Sequence, residues 1–201
     1  MSIHIDGKKI TAMYWGGRKI REAWYEGQRV FSGKPVEVMP PTPNWYDAQD
    51  WLRGRLTEYG ESYQTVKEIP FEIDTGESSN LDSMFRGCSS LTTVPDMDTS
   101  QVANMLSMFD GCSSLTTAPV MDTSQATDMR SMFRGCSSLT TVPDMDTSQA
   151  TDMSDMFRGC SSLTDGNVRL IGKRTGVNTV RMIRDSGLTR EPFYDSSGQP
   201  I

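Results

Sequence analysis

Apolar and polar positions alternate along this chain with two periods, and the longer one organises most of it. Over residues 81–164 an apolar stripe returns every twenty-four residues. In one copy Met129, Met132, Phe133 and Cys136 stand at i, i+3, i+4 and i+7, a spacing that predicts an amphipathic helix. Met105, Met108, Phe109 and Cys112 repeat it, as do Met153, Met156, Phe157 and Cys160; the first copy has Leu81 ahead of Met84, Phe85 and Cys88. Gly135 ends the helix, Leu139 to Val142 reads as a short strand, and Pro143 stops it. Thr123 or Ser124, and Asp146-Thr147-Ser148 one copy later, then cap a helix start. A fixed period in this range marks a stacked-repeat protein. The expected class is α/β: a solenoid with a parallel sheet on one side, a row of helices on the other, and a Met, Phe, Cys, Leu and Val core between them.

The shorter period lies in residues 1–33. Asp6-Gly7, Gly16-Gly17 and Glu26-Gly27 are spaced ten apart, and Asp-Gly and Gly-Gly between β-prone segments read as two-residue hairpin turns. They predict a small antiparallel meander with strands near 3–5, 9–15, 18–25 and 28–32. So small a sheet buries too little apolar surface to stand alone. Its aromatic residues Tyr14, Trp15, Trp24, Tyr25 and Phe31 are therefore candidate anchors, onto the repeats or onto another subunit. Pro40, Pro41 and Pro43 make 34–43 an extended linker. Residues 44–190 read as the repeat region with its caps. Asn44 is placed to cap a first helix carrying Trp45, Ala48, Trp51, Leu52 and Leu56, and Gly60 to end it. In the last cap Met182-Ile183 replaces Met-Phe, and 191–201 is a tail.

Composition narrows the function. A net charge of -6 argues against a nucleic-acid surface. No apolar run reaches the length of a membrane span, and the first residues have no signal-peptide core. The four cysteines share one slot and should stack ~4.8 Å apart, the strand spacing. They read as reduced, buried apolar groups, without the His or Cys-x-x-Cys spacing of a zinc site. Ten of the fourteen methionines lie in the repeats, where they read as gap-filling core. Asp98, Asp122 and Asp146 also share a slot; calcium is one reading, and helix-start carboxylates are the better one. Arg86, Arg134 and Arg158 share theirs with Asp110. Thr92, Thr93, Thr116, Thr117, Thr140 and Thr141 mark the strand face, a candidate surface for a glycan or a protein partner. His4 is the one histidine, and no phosphate loop occurs. The expectation is a non-enzymatic protein without cofactor or metal.

The pattern Met-x-x-Met-Phe-x-Gly-Cys-Ser-Ser-Leu-Thr, followed by Met-Asp-Thr-Ser-Gln-Ala-Thr-Asp, resembles the BspA-type leucine-rich repeat of bacterial surface proteins over residues 81–164. The resemblance implies a leucine-rich-repeat-like solenoid, adhesive or surface roles, and no catalytic residues. Tyr-Trp-Gly-Gly-Arg-Lys-Ile and Trp-Tyr-Glu-Gly-Gln-Arg-Val resemble N-terminal segments of bacteriophage tail and other virion proteins. Together they imply a phage minor tail or surface protein assembled in host cytoplasm. Residues 1–33 would bind other virion proteins, the solenoid would face the host surface, and the chain would form a homo-oligomer within the particle. A capsid fibre or decoration protein and a bacterial cell-surface adhesin are the alternatives. On charge and hydropathy, neither a nucleic-acid partner nor membrane insertion is expected.

Overall fold

The computed structural model describes residues 47–201 except 77, 173, 174 and 196, and, before them, the backbone of seven short strands. Three hairpins open the chain: β1 (Ile3–Ile5) with β2 (Lys8–Ile10), β3 (Met13–Trp15) with β4 (Arg18–Ile20), and β5 (Ala23–Tyr25) with β6 (Gln28–Phe31). The expected strand over 9–15 is thus two strands that belong to different sheets, in place of one continuous meander. Within the stretch read as a linker, β7 (Val36–Val38) pairs antiparallel with β4 and parallel with β8 (Glu72–Asp74).

Helix α1 (Asp47–Glu58) is the one α-helix among the described residues. Ala48, Leu52 and Leu56 recur on one face and are buried. The helix ends as glycine makes easy: Gly60 takes φ 75°, its N–H donates to the Thr57 carbonyl, and the Glu61 N–H reaches back to Leu56 at 2.9 Å. Trp51 and Tyr59 pack their rings on buried Phe71.

In place of the helix expected in each copy, the structure has a run of turns. In copy 1 (residues 81–104) the N–H groups of Met84, Arg86 and Cys88 donate three residues back, to the carbonyls of Leu81, Ser83 and Phe85. The alternate N–H groups leave the copy altogether. Leu81, Ser83, Phe85 and Gly87 donate to Asn104, Leu106, Met108 and Asp110 at 2.7–2.9 Å. The remaining N–H, on Asp82, is taken by the Asn80 side chain. An α-helix would use every one of these donors internally. Here half of them tie one copy to the next, and the pattern repeats through copies 2 (105–128), 3 (129–152) and 4 (153–178) into copy 5 (179–190).

This backbone needs two left-handed residues per copy. One is a glycine: Gly87, Gly111, Gly135 and Gly159 sit at φ 72–80°. The other is Ser83, Ser107, Ser131 or Asp155, at φ 53–57°. For a residue with a Cβ that conformation costs about 1–2 kcal/mol. The side chains of the apolar stripe all turn inward: Met105, Met108, Phe109, Cys112, Met129, Met132, Phe133 and Cys136 are fully buried. Phe85, Phe109, Phe133 and Phe157 form one column with centroids 5.3–5.8 Å apart and rings within 4° of parallel.

The opposite side of each coil is more loosely tied. β9 (Met145–Asp146), β10 (Leu170–Ile171) and β11 (Phe193–Tyr194) form a three-stranded parallel sheet. Earlier copies contribute isolated parallel bridges, such as Thr117 with Thr141.

Candidate functional site

The threonines singled out by the repeat lie on this looser side. Thr92, Thr93, Thr116, Thr117, Thr140 and Thr141 are all exposed. They are not equivalent. The Thr92 hydroxyl donates to the Lys67 carbonyl at 2.9 Å and that of Thr140 to the Thr116 carbonyl at 3.0 Å. A serine column runs alongside: Ser113, Ser137 and Ser161 donate to the carbonyls of Ser89, Ser113 and Ser137 at 3.2–3.5 Å. Sequence reasoning passed over these serines, although Gly-Cys-Ser-Ser-Leu-Thr-Thr carries both columns. The result is a hydroxyl surface in steps of twenty-four residues, able to exchange hydrogen bonds with a polar partner. The side chains of Tyr14, Trp15, Trp24, Tyr25 and Phe31 lie outside the described residues.

The stacked aspartates have a local task. Asp98, Asp122 and Asp146 each accept the backbone N–H two residues on, from Ser100, Ser124 and Ser148. Those amides hold the Asp98 and Asp122 carboxyls below the usual carboxylate range. No helix follows them. The intervening threonines are buried instead, and Thr99 and Thr123 donate to the Asp122 and Asp146 carbonyls of the next copy. Among the described residues no group of three or more His, Cys, Asp or Glu side chains is placed to hold a metal ion.

The cysteines are free and buried. The Cys112, Cys136 and Cys160 thiols donate to the carbonyls of Phe85, Phe109 and Phe133 in the preceding copy at 2.9–3.1 Å. Burial pushes Cys88 and Cys160 up to about 12, and Cys112 and Cys136 upward as well. A thiol so protonated is neither nucleophile nor metal ligand. The arginine slot is an ion-pair column: buried Asp110 accepts two bonds from Arg134 at 2.9 and 2.8 Å and meets Arg86 at 3.3 Å from the other side.

A family model described as "Mycoplasma protein of unknown function, DUF285" matches residues 62–183. The chain belongs to this family. The DUF285 region begins just past α1, takes in the hydroxyl columns and the phenylalanine stack, and ends at Ile183 in copy 5. No curated protein and no solved structure matches the chain. Among the described residues no helix is long and apolar enough to cross a membrane.

Proposed function

We propose that the chain is a non-enzymatic bacteriophage structural protein, a minor tail or surface protein. In this reading its stacked copies are a leucine-rich-repeat-like solenoid displayed for contact with a host glycan or protein. The observation that carries it is the hydroxyl surface. Thr93, Thr116, Thr117 and Thr141 stand exposed over a backbone whose other side is densely bonded and whose core is apolar and buried. A rigid, repetitive, shallow polar face suits a repetitive polar ligand. The hairpins of residues 3–31 are the anchoring module, joined to other virion proteins. Support comes from the ten-residue aromatic-turn pattern there.

Two measurements test the two halves. Mass spectrometry and imaging of purified particles, with and without residues 1–33, should find the protein in virions only when that segment is present. Its absence from virions in both cases would sink the virion reading. A glycan array probed with the whole chain should give binding that Thr117→Asp and Thr141→Asp together abolish. A capsid fibre or decoration protein would appear in the same imaging on the capsid lattice. A bacterial cell-surface adhesin is the second reading; the matching family is described as a Mycoplasma protein of unknown function.

A further inference from the structure

The ladder between copies has a direction, and its two ends are treated differently. Along the run of turns in each copy, from its first apolar position to its glycine, the crossing bonds go from an N–H of one copy to a carbonyl of the next. The first copy therefore presents a row of acceptors, and the last a row of donors. Two of these acceptors, the Met84 and Arg86 carbonyls, are covered. The Tyr63 hydroxyl donates to the Met84 carbonyl at 2.8 Å, and the Gln49 side chain donates to the Arg86 carbonyl at 3.1 Å while also bonding Tyr63. Helix α1 supplies Gln49 and closes this end with Leu52 and Leu56.

The donor row is open. In copy 5, Thr179, Arg181, Ile183 and Asp185 occupy the slots whose N–H groups cross to the next copy in copies 1–4; here, among the described residues, those four N–H groups have no partner. The copy nonetheless keeps the repeat conformation. Met182, Arg184 and Ser186 donate to the carbonyls of Thr179, Arg181 and Ile183. Arg181 and Asp185 hold φ 56° and 57°, where earlier copies use serine or aspartate and glycine. On the strand side the end is closed: the tail turns back, and the Ile201 N–H donates to the carbonyl of Phe193 in β11. Ile183 continues the phenylalanine column, half-buried, with Val180 exposed nearby.

The edge selects its occupant. An ordinary extended strand presents N–H and carbonyl groups together along one edge. Its N–H groups would find no acceptor here, because the carbonyls of Thr179, Arg181 and Ile183 are already taken. A coil in the same turn conformation offers carbonyls alone, at the spacing of this row. In a second copy of this chain the Met84 and Arg86 positions of that row are already occupied by Tyr63 and Gln49, under helix α1. The covering helix lies outside the matched family region, which starts at residue 62. We propose that copy 5 is a docking edge for the acceptor row of another twenty-four-residue coil, carried by a partner chain without the helix cap. The cap of this chain in turn prevents its own head-to-tail growth, the open-ended assembly that a heterologous contact otherwise produces.

The test is residue-resolved amide exchange on the intact, isotope-labelled chain, alone and with an unlabelled probe. The probe is the full chain carrying Leu52→Asp and Leu56→Asp, which ejects α1; a chain of residues 62–201 serves as a second probe. Either is used only if its own Phe133 amide is protected. In the intact chain alone, the amides of Thr179, Arg181, Ile183 and Asp185 should exchange roughly a hundredfold faster than those of Phe109 and Phe133. Saturating probe should slow all four at least about tenfold, and Ile183→Asp in the intact chain should abolish the slowing. The probe alone should form head-to-tail chains that intact protein terminates. Protection of the four amides in the intact chain alone, whether from internal bonds or from self-association, would overturn the proposal. So would slowing that Ile183→Asp leaves unchanged, or a folded probe that produces none.

Discussion

The two sides of each coil differ in how much the fold demands of them. On the turn side every N–H from Leu81 to Cys88 has an assigned acceptor, two residues per copy are left-handed, and the side chains interlock as columns of Met, Phe and Cys. On the strand side the threonines are exposed, the copies before β9 meet there in single bridges such as Thr117 with Thr141, and only some hydroxyls are engaged. The Met-Phe-x-Gly-Cys motif that dominates the sequence is therefore architecture. The exposed hydroxyls lie across the coil from it.

The sharpest way to separate the sides is pH. Folding raises the Cys88 and Cys160 pKa from 9.0 to about 12, with the neutral thiol favoured by burial. Below about pH 9 both the folded and the unfolded chain are protonated at these thiols, and this stability is complete. Between 9 and 12 the unfolded chain loses protons that the folded one keeps. Stability therefore falls as pH rises, by on the order of 1.4 kcal/mol per thiol for each pH step of one. Chemical denaturation at pH 8, 9.5 and 11 should track this fall, and replacing the four cysteines by valine should flatten the thiol part of it.

Phe133→Ala comes next. It removes a fully buried ring stacked on two neighbours and should cost about 3–5 kcal/mol, read as a shifted denaturation midpoint. Gly135→Ala tests the backbone alone. An added Cβ meets Gly111 no closer than 3.7 Å, an ordinary contact, so the expected loss of about 1 kcal/mol is that of a left-handed alanine. The smallest effects belong to the strand side. Thr140→Ala deletes a hydroxyl bond to Thr116 and should cost about 0.5 kcal/mol, and Thr141→Ala less, as for exposed positions generally. A Thr141→Ala loss as large as that of Phe133→Ala would erase the distinction between the sides.

Part of this was legible in the sequence and part was not. The twenty-four-residue step and the inward set Met105, Met108, Phe109 and Cys112 can be read from spacing alone. The conformation cannot, because i, i+3, i+4, i+7 is also the inward set of two successive four-residue turns. The distinguishing residues were present. Gly111 and Ser107 stand where left-handed geometry is needed, four apart. Asn104, Asp128 and Asp152, just ahead of each apolar stripe, accept the N–H two residues on and start the turns. Such side-chain bonds favour turns over helix. The hydroxyl face was legible in its threonines, but which hydroxyls bond neighbouring carbonyls depends on how the copies stack. Copy 4 shows the same dependence: it reaches copy 5 in a step of twenty-six, as the Asp155–Arg181 and Asp152–Asn178 pairs mark.

The claim that the motif builds a ladder rather than a helix row has one direct readout, the scalar coupling that NMR detects across a hydrogen bond. The ladder places the Phe109 N–H on the Met132 carbonyl, at 2.8 Å, in the next copy. A helix would place it four residues back, on Met105. A cross-bond coupling between Phe109 and Met132 is the expected result. A coupling between Phe109 and Met105 in its place would contradict the ladder.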